Sequence, residues 1–271
     1  PIADWHSWRQ ADTSAVSRNF VANGFDLLHP RFDDISNVAS GVDNPQGYRF
    51  VEFPLYNGLT ALAFQIIGRF SIEVWGRLVS IAASIGSIIF LYILLRKYIN
   101  ELFGLFGEFF LGFIPFNIYY SRTILPDSSM AMAILGGTYF FDKWLSSDVI
   151  LGTPSKARGT PESRSDSGQA RMTGSFWLSI LLTASAFLLK PFALFFTLPM
   201  IYLAFRKWGI GFVVKPQLWL FALLTLAPLI FWRVWIQQFP EGIPASDWLF
   251  NGGNIRFKGA FFYWLFADRL G

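Results

Sequence analysis

The chain has no cysteine and few charged residues. Asp, Glu, Lys and Arg make up 15% of its 271 residues, against about 25% in average soluble domains. The lack of cysteine excludes disulfides, thiol nucleophiles and thiolate-bound metals. The only histidines, His6 and His29, have no partner histidine at ligand spacing, so we expect no zinc site and interpret them as surface or packing residues.

Apolar and aromatic residues are abundant instead. They account for 53% and 19% of the chain, with 31 Phe and 11 Trp, and the mean hydropathy is +0.41. Phosphate-binding glycine loops, the GxSxG nucleophile motif and the HExxH zinc motif are all missing. Basic residues are scattered over separate segments, so no nucleic-acid partner is expected. This composition predicts an all-α, polytopic integral membrane protein.

Apolar runs define the predicted organisation. About 20 apolar residues are needed to cross the roughly 30 Å core of a bilayer. Residues 1–74 contain no such run and are interpreted as an extracytoplasmic loop with amphipathic and interfacial helices, one of which begins at Pro54. Residues 75–239 form the transmembrane bundle, and 240–271 begin a further extracytoplasmic loop. The predicted spans are Trp75–Leu95, Leu102–Tyr120, Pro126–Leu145, Phe176–Leu189, Phe192–Phe205 and Leu218–Phe239.

Positive charge predicts the orientation of these spans. Residues 146–175 are rich in Ser, Gly, Pro and Arg and are expected to be a disordered cytoplasmic loop. Cytoplasmic connections carry the excess of Lys and Arg. One side has Arg96, Lys97, Lys143, Lys156, Arg158, Arg164, Arg171, Arg206, Lys207 and Lys215, and the other only Arg122 and Lys190. Both ends of the chain look cut, so we expect a fragment of a longer protein.

The first candidate site residue lies in DWHSWRQADTSAVSRNFVANG, residues 4–24. Trp5, Trp8, Asp12, Val16 and Phe20 recur at helical spacing, in a helix predicted to end at Asn23–Gly24. A carboxylate in an apolar stripe is costly without a partner, which makes Asp12 a candidate functional group. Alternatively, Asp12 pairs with Arg9 or caps a helix that begins at Thr13.

Three further candidates lie beside the predicted spans. Arg122 and Asp127 share the external turn YYSRTILPD, where they either act in a site or serve as a snorkelling cation and a helix-dipole partner. Glu52 precedes the Pro54 helix and either contacts substrate or caps that helix. Lys190, beside the helix breaker Pro191, is placed either to hold a lipid phosphate or to snorkel.

These motifs occur in an order that resembles a known family. The series is WRQADTSAVSRNF, GFDLLHP, EFPLY, GRL, YYSRTILPD and AFLLKPFALF. It is similar to the polyprenyl-phosphate-sugar glycosyltransferases of the GT-C fold, which include protein mannosyltransferases and the aminoarabinose transferase that modifies lipid A. Two positions depart from the family pattern: Arg9 and Gln10 stand where members often have Asp-Glu, and Phe53 where many have Lys.

The resemblance implies a function and a place in the cell. The expected enzyme moves a sugar from a polyprenyl-phosphate donor to an acceptor hydroxyl or phosphate on the extracytoplasmic side, with inversion. It would be a multi-pass protein of the bacterial inner (plasma) membrane, with membrane lipids as partners and about half of the family's length missing here. No cofactor is required by this reading, although a divalent cation stays possible.

The hypothesis assigns a role to each candidate. Asp12 acts as the base, oriented by His6 or Arg9, and Asp127 positions the acceptor or an ion. Arg122 and Lys190 hold the lipid phosphate, and Glu52 contributes to substrate binding. A transporter or flippase of lipid-linked glycans is the alternative and predicts charges deep in the spans. A structural membrane subunit predicts no cluster of external acids.

Overall fold

The computed structural model describes residues 6–150, 162–244 and 252–263. Within those ranges the regular secondary structure is helical, residues 24–54 are irregular, and the one β feature is an isolated antiparallel bridge between Arg31 and Tyr48. The all-α prediction is therefore confirmed for the part that the structure describes. The α-helices are α1 (Ser7–Asn23), α2 (Leu55–Ile67), α3 (Ile72–Tyr98), α4 (Glu101–Phe113), α5 (Pro115–Tyr120), α6 (Asp127–Ile150), α7 (Glu162–Leu189), α8 (Leu198–Trp208), α9 (Pro216–Ile236) and α10 (Gly259–Tyr263).

Helix α1 ends where the sequence predicts but buries only part of the predicted apolar stripe. Gly24, at φ 91°, stops it, because glycine adopts positive φ without strain. Only the second half of the predicted apolar stripe is buried: Val16 and Phe20 are, whereas Trp8 is 62% exposed. Trp5 lies outside the described residues. The buried face is largely polar and contains Gln10, Thr13, Ser14, Ala15, Val16, Ser17 and Phe20.

Among the described residues, two helices are long and apolar enough to cross a membrane: α3 and α9. At a rise of 1.5 Å per residue, their 27 and 21 residues extend about 40 Å and 32 Å. Helix α2, with 13 residues, extends only about 20 Å, in agreement with the expectation that it does not span.

The predicted span Leu102–Tyr120 is broken. Helix α4 ends at Phe113, and α5 begins at Pro115 after an extended Ile114, because proline disfavours helical geometry in the residue before it. Five phenylalanines of α4 are each more than half exposed: Phe103, Phe106, Phe109, Phe110 and Phe113. A contiguous apolar surface of this kind is typical of contact with lipid or another protein.

The segment around Lys190 agrees with its prediction, whereas the connection before it does not. Helix α7 ends at Leu189, Lys190 is extended, and a 3₁₀ helix spans Pro191–Thr197 before α8. The predicted span Phe192–Phe205 is therefore not one regular helix.

The prediction of a loop over residues 146–175 was wrong at both ends. Residues 146–150 complete α6 and 162–175 belong to α7, where Glu, Gln, Ala, Arg and Met favour helix. Residues 151–161 lie outside the described part.

Helix α6 is the centre of the bundle and packs against α3 and α7. Two adjacent glycines allow this close approach. A Cβ atom added at Gly136 would lie 2.9 Å from the Phe90 ring of α3, and one at Gly137 would lie 2.5 Å from Thr183 Oγ1 of α7. The close contact fixes the start of α6, and with it Asp127, relative to the end of α7.

Gly137→Ala is expected to destabilise the bundle, because its methyl group meets Thr183. The expected loss is about 1–3 kcal/mol, as in other overpacked cores. Gly174→Ala is the matched control: its Cβ meets nothing within 4 Å, and alanine in a helix is expected to stabilise by up to about 1 kcal/mol. Thermal unfolding of both variants in one detergent measures the difference. A Gly137→Ala protein as stable as the wild type would contradict this packing.

Candidate functional site

The Arg122–Asp127 turn is held against α3 by buried hydroxyl groups. The Ser80 hydroxyl donates to the Thr123 carbonyl at 2.7 Å. Tyr56 of α2 donates to the Gly76 carbonyl at 2.6 Å, and its oxygen lies 3.0 Å from Ser80 Oγ. Because buried hydrogen bonds of this kind are costly to break, the start of α6 has a fixed position relative to α2 and α3.

Helix α1 is attached to the same framework. The amide N–H of Ile124 donates to Gln10 Oε1 at 3.2 Å, and the Asn57 side chain of α2 donates to the Thr13 carbonyl at 2.6 Å. These contacts explain why the buried face of α1 is polar. They also set the positions of Arg9 and Asp12, one residue before and two residues after Gln10.

The segment that contains Arg49 and Glu52 is bound by its backbone at both ends. The Arg49 N–H donates to the Pro30 carbonyl at 2.8 Å, and the Phe53 N–H donates to the Leu188 carbonyl at 3.1 Å. The second bond brings Glu52 beside the end of α7, where Lys190 follows.

Four distant segments meet in one chain of ion pairs. Lys190 Nζ lies 3.0 Å from Glu52 Oε1 and 3.6 Å from Asp127 Oδ1. The other oxygen of Glu52 accepts a hydrogen bond from the Arg9 guanidinium. The Glu52 side chain is only 15% exposed, so its charge depends on these two cations.

Asp12 belongs to a second pair beside the first. Its Oδ2 accepts from Arg49 Nη2 at 2.7 Å, and the Arg49 guanidinium lies 5.0 Å from the centre of the Phe32 ring. Asp12 lies inside α1 rather than at its start, so the alternative that it caps a helix beginning at Thr13 was wrong. Its charged hydrogen-bond partner is Arg49.

A small cavity of about 30 Å³ joins the two pairs. Arg9, Asp12, Arg49 and Glu52 all contribute to its wall, together with Pro126, the residue before Asp127. A cavity of this size holds a water molecule or one small polar group. Asp12 and Asp127 therefore lie at one end of the bundle, connected through Arg9, Glu52 and Lys190.

Burial acts differently on the two carboxyl groups of the cavity. Burial raises the pKa of Asp12, and Arg49 and Arg9 only partly oppose it. Burial also acts to raise the pKa of Glu52, but Arg9 and Lys190 outweigh it, so the net pKa lies below the usual value of 4.5. Glu52 is thus the stronger acid of the two, and Asp12 is the one that binds a proton more readily.

Three residues of the candidate site were not predicted from the sequence: Gln10, Arg49 and Arg233. Arg49 Nε and Arg233 Nη1 are buried without a hydrogen-bond partner. Arg233 also interacts electrostatically with Glu52. Buried donors without acceptors are rare and costly. Arg233 is the one charged residue in the apolar run Leu218–Phe239, a signal that points to a functional role.

Two sequence candidates lie elsewhere. Arg122 is exposed, and its Nε donates back to the Ile118 carbonyl at 3.0 Å. His6 precedes α1, with its ring centre 6.4 Å from that of Tyr120. His29 pairs with Asp26 at 2.9 Å and packs on Trp235 and Phe239.

The described residues do not form a metal centre. Within 6–150, 162–244 and 252–263, no three His, Asp or Glu side chains gather as metal ligands. Asp12, Glu52 and Asp127 are each next to Arg or Lys, so the arrangement does not fit a divalent cation.

Comparisons with known proteins do not assign a family or a function to this site. No protein-family model, curated protein or solved structure matches the chain.

Glu52→Gln is expected to lower stability most at neutral pH. Because the pKa of Glu52 is depressed in the folded state, its contribution is present above the unfolded value of 4.5 and is lost as pH falls through the lower folded pKa. The expected loss at pH 7 is about 3 kcal/mol, since the variant removes the anionic partner of Arg9 and leaves Lys190 with Asp127 alone. The thermal unfolding midpoint, measured from pH 7 to pH 3, should fall less steeply than that of the wild type.

Asp33→Asn provides the control for that pH series. Asp33 pairs with Arg18 at 2.7 Å, but its side chain is 64% exposed, so its removal should cost less than about 1 kcal/mol. Parallel pH curves for the wild type and Glu52→Gln would contradict the role given to Glu52.

Proposed function

We propose that the chain is part of a multi-pass membrane glycosyltransferase of the GT-C type. It would transfer a sugar from a polyprenyl-phosphate donor to an acceptor hydroxyl on the extracytoplasmic side. One observation carries the proposal. Two carboxylates and two cations from distant segments, Asp12, Glu52, Arg9 and Arg49, line one cavity at one end of the bundle. Glu52 connects them to three further charges, Lys190, Asp127 and Arg233.

Sugar transfer needs a base, and Asp12 is suited to that role. Its carboxylate faces the cavity, and burial moves its pKa upward, in the direction that improves a general base near neutral pH. In the proposed step Asp12 takes the proton of the acceptor hydroxyl, whose oxygen attacks the anomeric carbon. The bond between that carbon and the phosphate oxygen breaks from the opposite side, which inverts the anomeric configuration.

The leaving phosphate needs cations whose hydrogen-bond donors are not all occupied by protein acceptors. Four cations face three carboxylates, and Arg49 Nε and Arg233 Nη1 lack acceptors. Charge-assisted hydrogen bonds from guanidinium groups to phosphate oxygens are among the strong ones. The departing phosphate would therefore satisfy donors that are otherwise buried without a partner, and Lys190 would add a third positive charge.

An apolar groove beside the cavity suits the lipid part of the donor. It has a volume of about 360 Å³ and lies between the end of α7 and α9, with Leu188, Phe231 and Trp235 in its wall. Phe53 lines both this groove and the polar cavity. A polyprenyl chain in the groove would bring its phosphate to the cations on the other side of Phe53.

The distribution of charge favours a transferase over the alternative, a transporter or flippase. In the two candidate spans, α3 and α9, the charged residues lie near the helix ends: Glu73, Arg77, Arg96, Lys97 and Arg233. A translocation path would need ionisable groups near the middle. The exposed apolar surfaces of α3, α4 and α9 support a multi-pass protein, and we propose the bacterial inner membrane as its location.

Asp12→Asn and Asp127→Asn test the roles of the two acids. For Asp12→Asn, loss of the base is expected to lower kcat by a factor of about 10² to 10⁴, with a smaller effect on the KM of the donor. For Asp127→Asn we expect the acceptor KM to rise. The assay uses the full-length protein with labelled polyprenyl-phosphate sugars. Transfer that stays intact in both variants would refute the assignment.

Arg233→Gln tests the phosphate site. Loss of one charge-assisted hydrogen bond should raise the donor KM about tenfold. Arg18→Gln is the matched control, because Arg18 is 43% exposed and pairs with Asp33 and Glu73 away from the cavity. Equal donor KM values for the two variants would remove Arg233 from the phosphate site.

A further inference from the structure

Helix α4 has a face that stays open in the described part of the chain. Of the described elements, α4 packs against α3 and its neighbour α5. Leu105, Glu108, Phe109 and Gly112 recur at a spacing of i, i+3, i+4 and i+7, so they share one side of the helix. Leu105 is 48% exposed and Phe109 is 61% exposed. We call these four residues the Glu108 face.

Glu108 has no partner of opposite charge. Within the described ranges, its half-buried side chain takes part in no ion pair and no hydrogen bond. The cations in the last turn of α3 are already occupied: Arg96 lies 3.4 Å from Glu101, and Lys97 pairs with Asp142. The charge of Glu108 is therefore left without compensation.

The position of Glu108 along α3 makes this uncompensated charge costly. The two helices are antiparallel, since a Cβ atom added at Gly104 would lie 3.0 Å from the Tyr92 ring and one at Gly112 would lie 3.7 Å from Ile88. Glu108 is midway between the two glycines and is thus level with the apolar run between Ile88 and Tyr92. In a chain that crosses a membrane along α3, this carboxylate lies at hydrocarbon depth, where an ionisable side chain needs a partner.

The glycines of α4 indicate room for a further helix. Gly107 is explained by α3, because a Cβ atom there would lie 2.2 Å from Leu95 Cδ1. At Gly112 the nearest atom is Ile88 Cδ1 at 3.7 Å, an ordinary contact distance, so packing against α3 does not require glycine there. Small residues allow membrane helices to approach closely. Gly112, one turn from Glu108, would admit the backbone of a helix on the open side.

We propose that the Glu108 face is a docking site for a transmembrane helix that carries one lysine or arginine. A lipid tail would cover Leu105 and Phe109, but it has no group that neutralises the carboxylate. A second copy of the same face would bring two carboxylates together. A basic side chain on a neighbouring helix pairs with Glu108 while its backbone packs against Gly112. This docking site depends on the membrane location proposed above and not on sugar transfer.

Binding of model helices to the full chain in phosphatidylcholine vesicles tests the proposal. The probes are three polyleucine peptides of about 20 residues, long enough to cross the bilayer. Each carries lysine, leucine or aspartate about seven residues from one end, which matches the distance of Glu108 from the start of α4. Energy transfer between labelled peptide and labelled chain measures their association. The lysine peptide should bind about tenfold more tightly than the leucine peptide, as expected for one polar contact between membrane helices, and the aspartate peptide should bind no more tightly.

Three variants locate the contact. Glu108→Gln should remove the preference for the lysine peptide. Glu73→Gln is the matched control: Glu73 lies in the first turn of α3 and pairs with Arg18 at 3.1 Å, so its loss should change binding by less than about twofold. Glu108→Lys should reverse the preference and favour the aspartate peptide. If Glu108→Lys does not fold, the comparison of the three peptides on Glu108→Gln decides the outcome.

Three results would overturn the proposal. One is equal binding of the lysine and leucine peptides to the wild type, which would make lipid the occupant. Another is a lysine preference that is the same in the wild type and in Glu108→Gln. The third is self-association of the chain that becomes stronger in Glu108→Gln, measured by energy transfer between two labelled copies, which would make a second copy the occupant. A chain without transferase activity would pass or fail this test all the same.

Discussion

The burial of Glu52 is the constraint on which the site depends. A carboxylate that is mostly removed from water is stable only if cations and hydrogen bonds surround it, and here Arg9 from α1 and Lys190 from the end of α7 supply them. Glu52 itself is held by the backbone bond from Phe53 to Leu188. A single charge thus fixes the relative positions of three segments that lie far apart in the sequence, and Lys190 extends the connection to Asp127.

The apolar exterior is the second constraint: large apolar side chains are exposed, and polar side chains are buried between the helices. Along α4 and α9 large side chains such as Phe106, Phe109 and Phe231 are exposed, whereas polar side chains such as Ser80, Ser179 and Thr183 are fully buried. A membrane provides no hydrogen bonds to these hydroxyl groups, so small polar residues and glycines line the contacts between helices while bulky apolar residues face outward.

Much of the helical framework and part of the site are predictable from sequence, since they depend on local signals. Pro54, Pro126 and Pro191 mark boundaries that the structure keeps, and the residues beside them (Glu52, Asp127 and Lys190) meet in one network. Val16 and Phe20 of the buried face of α1 were predicted, but its polar part was not. Gln10 and Thr13 are buried by hydrogen bonds with Ile124 and Asn57, and hydrophobic periodicity gives no sign of such contacts. Arg49 was missed for the same reason: its partner Asp12 is 37 residues away.

The ion-pair network also bears on how a ligand would enter. Lys190 lies closer to Glu52 than to Asp127, 3.0 Å against 3.6 Å, so it is shared unequally between two acids and its bond to Asp127 is the easier one to exchange. A phosphate that approaches Lys190 would compete with Asp127 for the ammonium group and leave that carboxylate free to accept a hydroxyl. Glu52 keeps Arg9 throughout and holds the framework in place. If the chain is the transferase proposed above, the acids are paired with cations before the donor binds, and donor binding would release the carboxylate that receives the acceptor.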